Sequence, residues 1–82
     1  MIKSALKITL ESIRDKEGKQ ISANRLATEA KIRSNTVYEL INNQSKAINF
    51  ETLDSIINTL IELTGDENIN IEDIIRYKKE TK

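Results

Sequence analysis

The side chains able to do chemistry in this 82-residue sequence are hydroxyls, carboxylates, amides and cations, because His and Cys are absent. Without those two types there is no neutral-pH imidazole base, no thiol nucleophile, no disulfide and no imidazole or thiolate metal site. Ser and Thr hydroxyls need a base to become nucleophiles, and no carboxylate pair clusters on one expected helix face to serve as acid and base. An enzyme is therefore the weakest class, and neither a cofactor nor a small-molecule ligand is expected. What remains is charge. Thirteen Lys and Arg balance thirteen Asp and Glu, which at first sight argues against a nucleic-acid partner, since such proteins usually carry a basic excess. The distribution alters that reading. Residues 1–49 hold nine basic side chains against five acidic ones, a balance of +4, and residues 50–82 hold four against eight, a balance of −4. The polarity points to a basic N-terminal surface.

The elements that must position those charges are legible from apolar spacing. The length fits one domain, 1–82, with a single core and no staple beyond packing. Met1 to Lys16 has neither a long apolar run nor a small-residue cleavage pattern, and no stretch approaches a membrane span, so a cytoplasmic protein is expected. Fourteen Ile, two Gly and no Pro suit a compact helical unit, and the Ile, Asn and Lys bias fits an AT-rich genome. Ile2, Leu6, Leu10 and Ile13 predict helix one, ending near Gly18. One arrangement then occurs three times: apolar residue, cap former, and apolar residue four positions after the cap. Ile21–Ser22–Leu26, Ile48–Asn49–Leu53 and Ile69–Asn70–Ile74 each match the hydrophobic staple at a helix start. Asp73, three residues after Asn70, adds an approximate capping box. Leu26, Ala27 and Ala30 form a short second helix, and Val37, Leu40 and Ile41 a third that stops at Asn42–Asn43. Helix four runs from about Phe50 to Thr64 with Gly65 as its cap, and helix five from Ile71 to roughly Lys79 with Ile71, Ile74, Ile75 and Tyr77 inward. The expected fold is all-α, five helices with no strand.

Two short helices joined by a tight turn, the second amphipathic with a polar outer face, form a helix-turn-helix, whose second helix enters the major groove of DNA. The small Ala27 stands where the helices cross, and Leu26, Ala30, Ile32, Val37 and Leu40 supply the apolar contact between them. The stretch Ser22-Ala-Asn-Arg-Leu-Ala-Thr-Glu-Ala-Lys-Ile-Arg-Ser-Asn-Thr-Val-Tyr-Glu-Leu-Ile-Asn-Asn43 resembles the motif of the phage repressor and Cro-type (XRE-like) helix-turn-helix family. Ile48-Asn-Phe-Glu-Thr-Leu53 with Ile56, Ile57 and Leu60 is similar to that family's fourth helix, and Ile71-Glu-Asp-Ile-Ile75 to its fifth. The resemblance extends from helix one to Tyr77. It implies a five-helix lambda-repressor-like domain with the helix-turn-helix at about 22–43.

That resemblance also implies site residues and partners. Base-edge contacts fall to Arg33, Ser34, Asn35, Tyr38 and Glu39. Asn35 suits adenine, Arg33 guanine or a phosphate, Ser34 either base or backbone, and Glu39 the cytosine amine. Phosphate contacts fall to Asn24 at the start of helix two and to Asn42, Gln44 and Lys46 after helix three. The implied function is a sequence-specific transcriptional regulator, a repressor binding double-stranded DNA as a homodimer on a palindromic operator.

From the residues alone, Arg33, Asn35 and Glu39 fit a solvated helix face as well as a DNA contact. Tyr38 fits either a phosphate or thymine-methyl contact or a cover over the following loop, and Lys46 could be an ordinary loop lysine. Ile57, Ile61 and Leu63 fit the core or a dimer contact. Three positions depart from the family pattern. Lys31 and Asn43 stand where Gly is usual, the former at a cost near 1 kcal/mol if the turn is left-handed, and Ala23 replaces a phosphate-binding Gln. The missing Gln, the neutral charge and the acidic helices four and five support the alternative of a protein-interaction module or antitoxin-like partner on the same scaffold.

Overall fold

Each of the three expected caps closes on a backbone amide. In the computed structural model, which describes residues 1–44 and 47–79, Ser22 Oγ accepts from Arg25 N at 3.1 Å and opens α2, Ala23–Ala30. Asn49 Oδ1 accepts from Thr52 N at 2.8 Å and opens α4, Phe50–Thr64. Asn70 Oδ1 accepts from Glu72 N at 2.9 Å, while Asp73 Oδ2 accepts from Asn70 N at 2.9 Å, completing a reciprocal capping box. These bonds satisfy amides that the first helical turn leaves without partners. Two further helices complete the set among the described residues: α1, Leu6–Ser12, and α3, Ser34–Ile41.

Both ends of the chain depart from the expected helices. Helix one is only seven residues long, and Ile2 lies instead in a strand, β1, Ile2–Ser4. Helix five is absent: Ile71–Asp73 forms a single 3-10 turn, and Ile75–Tyr77 continues as a second strand, β2. The strands pair antiparallel with Ile2 opposite Tyr77, Lys3 opposite Arg76 and Ser4 opposite Ile75. Among the described residues the fold is therefore mostly helical, with four helices and a small two-stranded sheet in place of five helices and no strand. The cause is competition for backbone partners. A free helix of this length is marginal in water, and β-branched Ile and aromatic Tyr pack well on a pleated surface once a partner strand is present. Ala5 N donates to Ile74 O at 2.7 Å, and Lys78 N to Met1 O at 2.7 Å, bracketing the ladder at both ends. Ile74 is buried as expected, but Ile71 and Tyr77 point outward.

The core gathers Leu6 and Leu10 of α1, Ile21 before α2, Leu26 and Ala27 of α2, Val37 and Leu40 of α3, and Leu53, Ile56 and Leu60 of α4, closed by Ile69 and Ile74. Ile57, Ile61 and Leu63 pack against it half-buried. Phe50, read as part of the helix-four stripe, is 85% exposed. Thr9 Oγ1 donates to Asp73 O at 2.5 Å, joining α1 to the 3-10 turn.

Helix one stops at Ser12 because of a carboxylate that composition alone did not single out. Asp15 is buried, and its Oδ1 accepts from Glu17 N and Lys19 N, each at 2.8 Å, while Asp15 N donates to Lys19 O at 2.8 Å. Its other oxygen accepts from Arg25 Nη1. A short polar side chain that satisfies loop amides offers the backbone an alternative to continuing the helix. The guanidinium of Arg25, followed by the Lys19 amide, holds the Asp15 carboxyl down at about 2, against the opposing effect of burial. The native state thus favours the ionised carboxylate. Its stabilisation is fully present above the unfolded value of about 3.9 and drains away as pH falls through about 2. Acid titration followed by urea unfolding should show this loss between about pH 4 and about pH 2. Asp15→Asn should lower the unfolding midpoint at neutral pH and flatten that acid limb, whereas an unchanged acid limb would contradict the assignment.

Candidate nucleic-acid interface

The turn between α2 and α3 is built by a left-handed residue. Lys31 has φ 58°, its amide donates to Thr28 O at 3.3 Å, and Ile32 N reaches back to Ala27 O at 3.0 Å. This paired closure is the Schellman motif. The same motif ends α3: Asn43 has φ 57°, with Asn43 N to Leu40 O at 3.1 Å and Gln44 N to Glu39 O at 2.7 Å. Lys31 and Asn43 therefore keep the backbone geometry for which Gly is the usual residue, carrying the steric cost of a Cβ there. Asn43 also adds what Gly could not, because its Oδ1 accepts Ser4 N at 2.9 Å and ties β1 to the end of α3.

Between those two closures α3 is clamped by its buried Val37 and Leu40, with Thr36 and Ile41 half-buried beside them. The opposite face carries Asn35, Tyr38, Glu39 and Asn42, spaced i, i+3, i+4, i+7, and all four are exposed. Helical geometry puts such a set on one stripe. Arg33 is the N-cap residue in extended backbone with no side-chain capping bond, so its exposed guanidinium stands at the head of the stripe, next to exposed Ser34. Tyr38 is 43% exposed, and its hydroxyl donates to Asn24 Oδ1 at 3.1 Å. That bond joins the start of α2 to the outer face of α3 and brings an expected phosphate contact together with an expected base contact. Asn42 and Gln44 are exposed at the helix end, and Lys46 lies outside the described residues. Ala23 is half-buried against the core and offers no donor, leaving Asn24 as the exposed polar side chain of that first turn.

A second feature borders the C-terminal end of α3. A cleft of about 360 Å³ is lined by Ile2, Leu40, Ile48, Phe50, Leu53 and Ile75, among others. Its outer rim is apolar, with Ile2 66% exposed and Phe50 85% exposed. Phe50, on the expected helix-four stripe, lies instead on this rim, and the cleft is lined jointly by β1 and the start of α4, which are far apart in sequence.

A short helix clamped on one face, open on the other and preceded at a tight turn by a second short helix defines a helix-turn-helix domain. The comparison with protein families agrees. Residues 17–80 match the model of the Cro/C1-type HTH DNA-binding domain, and the chain belongs to that family of DNA-binding regulators. No curated protein and no solved structure matches the chain. Among the described residues no helix is long and apolar enough to cross a membrane.

Removing the Tyr38 hydroxyl separates surface from scaffold. Tyr38→Phe should cost no more than about 1 kcal/mol in urea unfolding, as an exposed hydrogen bond does, while the side-chain amide resonances of Asn24 shift. A larger loss of stability would place the pair in the scaffold.

Proposed function

We propose that the protein is a sequence-specific transcriptional repressor that binds a palindromic operator as a homodimer, in the cytoplasm of a bacterium or of a phage-infected cell. The observation that carries this reading is the open stripe of α3, where Asn35, Tyr38, Glu39 and Asn42 face outward while Val37 and Leu40 are held in the core. In the major groove Asn35 pairs bidentately with adenine, Arg33 with guanine or a phosphate, and Glu39 accepts from the cytosine amine while repelling phosphate. Tyr38, held by Asn24, meets a thymine methyl or a phosphate, and Ser34 serves either base or backbone. Asn24, Asn42, Gln44 and Lys46 grip the flanking phosphates. A helix of eight residues reads few base pairs, and pairing two modules about one helical turn apart supplies the missing affinity and specificity. Bound at a promoter, the dimer excludes polymerase.

Fluorescence anisotropy with duplexes chosen from a random-site library tests the reading. Wild type should prefer a selected site, and Arg33→Ala with Asn35→Ala should erase the preference by roughly 2–6 kcal/mol, two base contacts' worth of discrimination. Equal binding of all duplexes by wild type would end it.

The exposed apolar side chains of Ile2, Phe50 and Tyr77 support a second copy seated on the apolar rim they form, since exposed apolar surface marks an interface. Sedimentation should show a dimer at micromolar concentration that Phe50→Lys converts to monomer with the fold intact. A wild-type monomer lacking any duplex preference would favour the other reading, a protein partner held by the same scaffold.

A further inference from the structure

The split of charge between the two halves of the chain hides a second division. Between residues 50 and 74 there are seven acidic side chains and no basic one, and all four basic side chains of the tail follow at 76, 78, 79 and 82. The β2 strand carries Arg76 and Lys78 back to the N-terminus, with Arg76 still bonded at its base to the main chain of Glu72. In the ladder Arg76 stands directly opposite Lys3, and the Met1 ammonium donates to Lys78 O at 2.7 Å. Strand pairing alternates faces, so Met1, Lys3, Arg76 and Lys78 share one face, and Ile2 and Tyr77 the other. No acidic side chain occurs at 1–4 or 75–79. Lys3, Arg76 and Lys78 are exposed, and none forms an ion pair among the described residues. Like charges directly opposite one another destabilise a sheet, yet here the pairing puts them together.

The place of this sheet gives the charges a use. Ser4 N to Asn43 Oδ1 holds β1 against the C-terminal end of α3, and Leu40, Asn43 and Ala47 share the cleft wall with β1. The cations thus sit beside the segment that carries Asn42 and Gln44. We propose that the cationic face of the β1–β2 sheet is a second DNA contact, gripping backbone phosphates that flank the bases read by α3. This inference rests on the proposed DNA reading and adds to it a surface outside the helix-turn-helix. The occupant is nucleic-acid backbone because the face offers cations with no base-reading amide or carboxylate among them, and a phosphate lying between Lys3 and Arg76 relieves their mutual repulsion. Arg76 Nε is engaged by Glu72 O at 2.9 Å, which steadies the side chain and leaves the terminal guanidinium nitrogens to meet a phosphate.

Anisotropy titrations over a salt series test it, with the selected duplex and a random duplex. Lys3→Gln with Arg76→Gln should weaken both duplexes by the same factor, leave the ratio between them unchanged and reduce the salt slope by about two, one per lost phosphate contact. Lys3→Arg with Arg76→Lys should restore the slope, which separates charge from any effect on folding. Lys16→Gln with Lys19→Gln, equal in charge but placed in the loop before α2, is the control. A slope reduced no more by the sheet variant than by the control overturns the sheet contact alone, provided Arg33→Ala with Asn35→Ala still abolishes preference. Wild type that binds neither duplex overturns both the sheet contact and the DNA reading beneath it.

Discussion

An eight-residue helix does not hold its shape alone in water, where isolated helices below about 12–15 residues are marginal. Everything about α3 follows from that. Its conformation is maintained by Val37 and Leu40, sunk into a core that α2 and α4 complete, and by the Schellman closures at Lys31 before it and at Asn43 after it. Because the buried face and the two closures do the holding, the outer face carries structural duty only at Tyr38, which reaches Asn24, among the described side-chain bonds. The division leaves Asn35, Glu39 and Asn42 available to a partner, and it fixes their spacing, since a helix pinned at both ends cannot roll to re-aim them.

The two left-handed positions show how the scaffold tolerates residues that local preference disfavours. A non-Gly residue in this conformation costs about 1–2 kcal/mol. At Lys31 the cost is offset by the closing amide bonds and by Ile32, which packs half-buried against the core as soon as the chain turns. At Asn43 the side chain contributes a bond of its own to Ser4, so the residue that ends α3 also fastens the sheet to it. Substituting Gly at that position would ease the backbone and cut that tether together. The Asp15–Arg25 pair plays a similar part at the other end of α2, anchoring its first turn to the loop that precedes it.

Helix starts were legible in the sequence because a cap is local chemistry: Ser22, Asn49 and Asn70 each bind an amide two or three residues ahead. The helix-turn-helix and the open stripe of α3 were legible for the same reason, the apolar spacing of Leu26, Ala27, Val37 and Leu40 being contained within some fifteen residues. The ends of the chain were not. Ile2 falls at helical distance from Leu6, and Ile71, Ile74 and Ile75 fall at helical distance from one another, so period alone favours two helices. What makes them strands is each other, across more than seventy residues, and no window on the sequence contains both. Asn43 with Ser4 and the apolar cleft at Phe50 are contacts of the same kind, while Asp15 with Arg25, only ten residues apart, joins a loop to a helix with no periodic pattern to mark it.

Charge is the property most altered by folding. Along the sequence it reads as a basic half and an acidic half, a description that assigns Arg76 and Lys78 to the wrong company. The β2 strand moves them next to Lys3 and the N-terminal ammonium, a stretch of sheet that carries no acidic side chain of its own. A chain of zero net charge attracts DNA weakly at a distance, because few condensed counterions are released by any one random encounter. Such a chain gains from concentrating its cations on surfaces adjoining the reading helix and from placing its acids elsewhere, where they repel DNA that arrives in the wrong orientation. Under the proposed function, neutrality then works in favour of discrimination: binding depends on bringing the stripe of α3 and the cations beside it to the duplex together, and a misaligned approach meets carboxylates instead.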